Sequence, residues 1–307
     1  IVIAPSIDGG VLEVDRHGCL MGNEGDQAGY HVEWGTMTGW GEPDLVVGGA
    51  SFVIALRDAL IPDDECEMGS LWDYGTDYSM TMHSTPGLEL SYPNPSLKDL
   101  TGDGIGELVV AGADAQDGDV RRVYILSGPF SAASTSVPTA DADQILEGSQ
   151  VYEQGVGDAF GRALAFGDTD ADGTLDLLVG APDSSGGGWY AGAVTVFRAE
   201  NSTLVSGAVV RGSTDQRAVG AHIAAGNYSD ALGDEFAVLG SAEGPDTIYL
   251  YSGPLSGSHG LADASCSVAA EEDIRGLYAV FDQGTDGLDE VLVEAPDTYW
   301  LIPGLGL

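Results

Sequence analysis

One short apolar run, introduced by an acidic residue, returns along the whole chain and limits the fold more than any other feature. It reads Asp44-Leu-Val-Val-Gly-Gly, Glu107-Leu-Val-Val-Ala-Gly, Asp176-Leu-Leu-Val-Gly-Ala-Pro, Glu235-Phe-Ala-Val-Leu-Gly and Glu290-Val-Leu-Val-Glu-Ala-Pro. Ile1 to Pro5 is a sixth copy without its front, and a strand from the first residue onward is expected of a processed or trimmed product. The five acidic markers stand about 55 to 70 residues apart, a period that signals a chain grown by adding units rather than by enlarging one core.

Further runs return in step. Behind the first come Val11 to Val14, Phe52 to Leu56, Val123 to Leu126, Val194 to Phe197, Ile248 to Tyr251 and Tyr299 to Ile302. A last run closes each unit: Cys19 to Gly22, Cys66 to Gly69, Gln144 to Gly148, Leu204 to Gly212 and Cys266 to Ala270. An apolar run, an acidic turn, a second run, a glycine-rich turn and a third run make a β-meander. Four short strands per period predict an all-β chain of the β-propeller type, built from four-stranded antiparallel blades. The three cysteines all fall on the outer strand, without zinc or redox spacing, and read as packed structural thiols.

The unit from Phe160 to Pro182, Phe-Gly-Arg-Ala-Leu-Ala-Phe-Gly-Asp-Thr-Asp-Ala-Asp-Gly-Thr-Leu-Asp-Leu-Leu-Val-Gly-Ala-Pro, is the most complete. It resembles the FG-GAP repeat of integrin α-subunit heads and of related bacterial surface proteins. The Phe-Gly pair survives at Phe160-Gly161, with Tyr30-His31, Gly220-Ala221 and Leu277-Tyr278 in its place elsewhere. The resemblance implies a single domain over 1–307 with blades set radially, in units of roughly 1–22, 23–69, 70–148, 149–212, 213–270 and 271–307. Six copies are visible, which fits a six-bladed ring or part of a seven-bladed one, closed by another chain or segment.

The acidic turns carry the chemistry. Asp168, Asp170, Asp172 and Asp176 stand at positions 1, 3, 5 and 9 of a nine-residue turn, with Gly173 at the bend and the Thr174 carbonyl at position 7. Alternating carboxylates in a tight turn converge on one point, and an all-oxygen set suits calcium rather than zinc. An EF-hand would need glutamate at position 12, where this turn has Val179. Asp99, Thr101, Asp103, Ile105 (by its carbonyl) and Glu107 form a second such turn. Asp282, Asp286, Leu288 (carbonyl) and Glu290 form a third, with Gly284 at position 3 leaving a place for water. About three calcium sites are therefore expected. Thr36, Thr38, Trp40 and Asp44 have lost the charge, and Asn227 to Glu235 reads as one residue longer between its flanking glycines. Modules of this chemistry bind calcium at about 10⁻⁴–10⁻³ M, an affinity that serves only outside the cell. That affinity and the resemblance together predict an extracellular or cell-surface location.

Composition narrows the partners. Ten basic residues against 49 acidic ones leave a formal charge of −39. Such a surface repels nucleic acid and anionic membranes. No run is long and apolar enough to insert in a bilayer. The resemblance places partner recognition on the face opposite the acidic turns. Aromatic connections gather there: Trp72 and Tyr74 in one, Trp189 and Tyr190 in another, Tyr152 in a third, with Arg121 and Arg122 in a fourth. Exposed Trp and Tyr anchor protein and glycan ligands alike, so the expected partner is an extracellular protein or glycan. The rival reading is an enzyme of polysaccharide or phosphodiester chemistry, or the propeller appendage of one. The chain has no Gly-x-Ser-x-Gly elbow, phosphate loop or His-Glu-x-x-His helix, and no catalytic residue is singled out.

Overall fold

The computed structural model describes residues 11–14, 18–21, 31–36, 44–48, 52–56, 79–83, 88–89, 95–114, 120–129, 135–148, 157–214, 217–241, 246–282 and 287–304. Among these, helix is confined to 3-10 turns at Thr139–Asp141 and Leu261–Asp263, and all other regular structure is strand. No helix is long and apolar enough to cross a membrane. The chain divides into two compact units, one of 1–99 with 103–146 and one of 100–102 with 147–307. Their border falls beside the repeat boundary expected at 148.

In the first unit, β1 (Val11–Val14) and β2 (Gly18–Met21) pair as an antiparallel hairpin. Next comes an antiparallel meander of β3 (His31–Gly35), β4 (Asp44–Gly48), β5 (Phe52–Leu56) and β6 (Ser79–His83). The strand beside β5 is thus Ser79–His83, later in the chain than the expected Cys66 to Gly69, which lies outside the described residues. The following blade opens with two pieces, β7 (Leu88–Glu89) and β8 (Pro95–Lys98), laid along β9 (Glu107–Asp114). Pro95 opens the second piece, the one place in a strand where a residue that cannot donate to a ladder is readily tolerated. The blade continues through β10 (Val120–Leu126) and, after β11 (Thr135–Pro138), which joins the preceding sheet, ends on β12 (Gln144–Glu147).

The second unit holds three sheets. The first is β13 (Leu164–Gly167), β14 (Asp176–Ala181), β15 (Ala193–Glu200) and β16 (Thr203–Arg211). The second is β17 (Ile223–Gly226), β18 (Glu235–Gly240) and β19 (Thr247–Tyr251), and, after β20 (Gly257–Gly260), which joins the first sheet, the outer strand β21 (Cys266–Ala269). The third has β22 (Gly276–Val280), β23 (Glu290–Glu294) and β24 (Tyr299–Ile302).

These meanders are β-propeller blades, and two of them, β3 to β6 and β13 to β16, gain a fifth strand from the following stretch of chain. β11 pairs parallel with β6, the outer strand of the preceding blade, and β20 pairs parallel with β16 in the same way. Each strap leaves a Ser-Gly-Pro segment, 127–129 or 252–254, and runs into a 3-10 turn before its own outer strand. Ser127 N–H donates to the Asp143 carboxylate at 2.7 Å, and Ser252 N–H donates to Ser265 Oγ at 3.2 Å, at matching places. The strap covers ladder groups that an outer edge would otherwise present to other chains.

The recurring run is the second strand of each blade, and it is apolar throughout because both its faces are covered. Leu45 to Val47, Leu108 to Ala111, Leu177 to Val179 and Phe236 to Val238 are all buried. In the second unit, Ala165, Leu178, Val194 and Val210 of one sheet pack on Ile223, Phe236, Val238 and Tyr251 of the next. Ala224, Ala237, Leu239 and Leu250, on the opposite face, pack on Leu277, Val291 and Val293. Phe236 and Tyr251 stack with ring centres 5.3 Å apart.

The Phe-Gly position is clearer in three dimensions than in sequence. Ala159 and Ala218 take positive φ (both 56°), as do Gly161 and Gly220 that follow. Arg162 N–H donates to the Ala159 carbonyl, and Ala221 N–H donates to that of Ala218, both at 3.0 Å. Val219-Gly220, not Gly220-Ala221, is therefore the counterpart of Phe160-Gly161. In the last sheet the counterpart is Ile274-Arg275 rather than Leu277-Tyr278. Arg275 N–H reaches the Glu294 carbonyl as Gly161 N–H reaches that of Gly180. What repeats is a buried apolar residue, Phe160, Val219 or Ile274.

Candidate metal and recognition sites

The turn between β13 and β14 is closed at both ends by hydrogen bonds. Strand pairing joins Gly167 to Asp176, so eight residues lie between them. The Asp168 carboxylate accepts from Asp172 N–H and Gly173 N–H, both at 3.0 Å, and Asp172 accepts from Thr174 N–H at 2.8 Å. Gly173 (φ 91°) makes the bend. Ligand oxygens of Asp168, Asp170 and Asp172 lie within 4.8 Å of one another.

Asp176 sits beneath the turn, 1% exposed, where its Oδ2 accepts from the N–H and hydroxyl of Thr169. Burial pushes its carboxyl up to about 6, opposed by the Thr169 hydrogen bond and helped by the Asp170 charge. Its Oδ1 and that of Asp170 are buried and without hydrogen-bond partners. Buried carboxylate oxygens left unpaired are costly unless a cation meets them. Arg198 Nε stands 3.3 Å from Asp170 Oδ2, a charge contact without hydrogen-bond alignment, while its Nη2 donates to the Leu255 carbonyl.

The Asp99 turn repeats this wiring position by position. Asp99 accepts from Asp103 N–H (3.2 Å) and Gly104 N–H (2.8 Å), and Asp103 accepts from Ile105 N–H (2.8 Å). Lys98 pairs with Glu107, which is buried. Thr101 is half-buried at position 3. In the third turn Gly287 N–H donates to Asp282 at 3.0 Å, as Gly173 does to Asp168. Leu288 and Glu290 are buried, and Asp286 lies outside the described residues. Here Val280, not Phe281, pairs with Glu290, so this turn is one residue longer than the others.

The Asn227 turn has the common length, because Gly226 pairs with Glu235. Its bend glycine has only slid from position 6 to position 7, at Gly233 (φ 85°). Glu235, fully buried, accepts from Tyr228 N–H and from the Ser229 hydroxyl, whose oxygen accepts from Ala231 N–H. Asp44 is likewise fully buried. Position 9 thus keeps its carboxylate in turns that have lost the others. In the turns at Asp176 and Glu235, that carboxylate ties down the N–H of position 2.

At the opposite end of the first sheet in the second unit, Trp189 is 57% exposed and Tyr190 37%. Their rings meet edge-on, 5.4 Å apart. The Tyr190 carbonyl accepts from Ala218 N–H at 3.0 Å, which anchors the loop to the start of the next blade. Arg121 and Arg122 are not in a connection: both are half-buried within β10, paired with Ala113 and Gly112. Trp72, Tyr74 and Tyr152 lie outside the described residues.

The FG-GAP repeat model matches residues 160–197. No curated protein matches the chain. Among solved structures, BBS1N in complex with ARL6DN, soaked with mercury, is similar at 12% identity and TM-score 0.45, over 84% of this chain and 60% of that one. The Dos1 propeller is similar at 13% identity and TM-score 0.46, over 85% and 52%. The chain thus spans less than two thirds of either relative.

Proposed function

We propose that this FG-GAP-repeat β-propeller is a calcium-stabilised extracellular module that recognises a protein or glycan ligand through the loop face opposite its acidic turns. One observation carries the reading: three carboxylates converge at Asp168, Asp170 and Asp172 beside unpaired buried oxygens of Asp170 and Asp176. Calcium, a hard cation that takes six or more oxygens, suits that donor set together with the Thr174 carbonyl. Asp99, Thr101, Asp103 and Glu107 would hold a second ion with the Ile105 carbonyl, and Asp282, Asp286 and Glu290 a third with that of Leu288. Each ion would pin a hairpin in a blade, with six or seven blades in the ring and another chain or segment closing it. Trp189 and Tyr190 would contribute to the ligand face.

Thermal unfolding in excess calcium and after chelation tests this. At a concentration one hundred times Kd, each ion adds about 2.7 kcal/mol of stability. Asp170→Ala and Asp103→Ala should each remove part of the calcium-dependent rise in Tm and leave the chelated Tm nearly unchanged. Identical melting with and without chelator would defeat the calcium reading.

A further inference from the structure

We propose that Asp234, at position 8 of the next blade's turn, is a positioning residue for the calcium turn at Asp168, so that ion binding and blade docking are coupled. The inference rests on the calcium reading above. Its basis is a reciprocal clasp: Asp168 N–H donates to Asp234 Oδ2 at 2.8 Å, and Asp234 N–H donates back to the Asp168 carbonyl at 2.7 Å. Asp168 is thereby held from outside by its backbone, while its carboxylate holds Asp172 and Gly173 within the turn. Gly233 presses on the same carbonyl, where an added Cβ would come to 2.8 Å.

The clasp recurs, which marks it as a device of the repeat. Asn227 N–H donates to Asp289 Oδ2 at 3.0 Å, and Asp289 N–H donates to the Asn227 carbonyl at 2.7 Å. In the first unit Gly106 N–H donates to the Thr36 carbonyl, the backbone half alone. A glycine precedes position 1 wherever the aspartate enters. A Cβ on Gly167 would lie 3.2 Å from Asp234 Oδ2, and one on Gly226 would lie 2.9 Å from Asp289 Oδ2. The two clasps differ in what they hold: Asp234 grips a turn with three converging carboxylates, whereas Asp289 grips one whose positions 1, 3 and 5 are Asn227, Ser229 and Ala231.

That difference supplies the control. Calcium affinity is measured calorimetrically on the full chain carrying Asp103→Ala and Asp282→Ala, which leaves the Asp168 turn as the reporting site. Loss of an outer partner of a metal ligand costs about tenfold or more in affinity. Asp234→Ala should weaken calcium about tenfold, and Asp234→Glu, which keeps the charge but displaces the acceptor, should weaken it too. Asp234→Asn, which keeps an acceptor, should stay within about threefold of the parent. Asp289→Ala should lower the chelated Tm as Asp234→Ala does, yet leave the affinity unchanged. Parent-like affinity in Asp234→Ala overturns the proposal, as does an equal loss in Asp289→Ala. A parent that binds no calcium overturns both this proposal and the calcium reading, whereas a binding parent with unaffected variants overturns the clasp alone.

Discussion

At the scale of single residues, the carboxylate at position 9 has two roles that sequence alone merges. Asp176 supports its turn with one oxygen and keeps the other buried without a hydrogen-bond partner, whereas both oxygens of Glu235 are engaged in support. Glu235→Ala would leave the buried Tyr228 N–H and Ser229 hydroxyl without their acceptor. Its expected cost is about 3 kcal/mol in chemical denaturation, equal with and without chelator. His222 offers a pH test away from the turns. Burial, and then the Arg162 charge, hold its imidazole below the usual value of 6.5. The unfolded chain therefore takes the proton first, and the stability His222 contributes is present above 6.5 and lost as pH falls toward the folded value. Tm of the parent should drop between pH 7.5 and pH 5.5 by more than that of His222→Gln.

At the scale of elements, second strands were legible because burial on both faces leaves an unbroken apolar run, as in Leu177 to Val179. Third strands were legible because they follow each second strand at a regular spacing, as Val194 to Phe197 and Ile248 to Tyr251 do. The straps escaped notice because Thr135–Pro138 and Gly257–Gly260 are short and mostly polar, and their partners are outer strands of other blades. A signal existed, however, in Leu-Ser-Gly-Pro-Phe-Ser at 126–131 and Tyr-Ser-Gly-Pro-Leu-Ser at 251–256. β6 escaped because Ser-Met-Thr-Met-His carries no cysteine and no unbroken apolar run. The strap predicts its own test. Ser258→Pro and His259→Pro, made separately, place a residue without N–H on alternate sides of β20. Whichever loses a ladder bond to β16 should lower stability by about 1–3 kcal/mol and increase aggregation measured by light scattering.

At the scale of the molecule, 49 acidic side chains against ten basic ones make self-repulsion a term in stability. The Debye length falls from about 30 Å at 0.01 M salt to about 10 Å at 0.1 M, so added sodium chloride should raise the Tm of the chelated protein by several degrees. If the acidic turns hold calcium as proposed, the gain should shrink in its presence, since bound ions would neutralise the densest clusters. A chain whose Tm ignores salt in chelator would show that its carboxylates are spread too far apart to repel.

The straps also bear on synthesis. The blade that ends at Arg211 has its outer edge bare until Gly257–Gly260 has been made, roughly fifty residues later. On the ribosome each such blade waits for its successor. Nascent chains halted before residue 257 should therefore be caught by chaperones that bind open strands more than chains long enough for residue 260 to have cleared the ribosome.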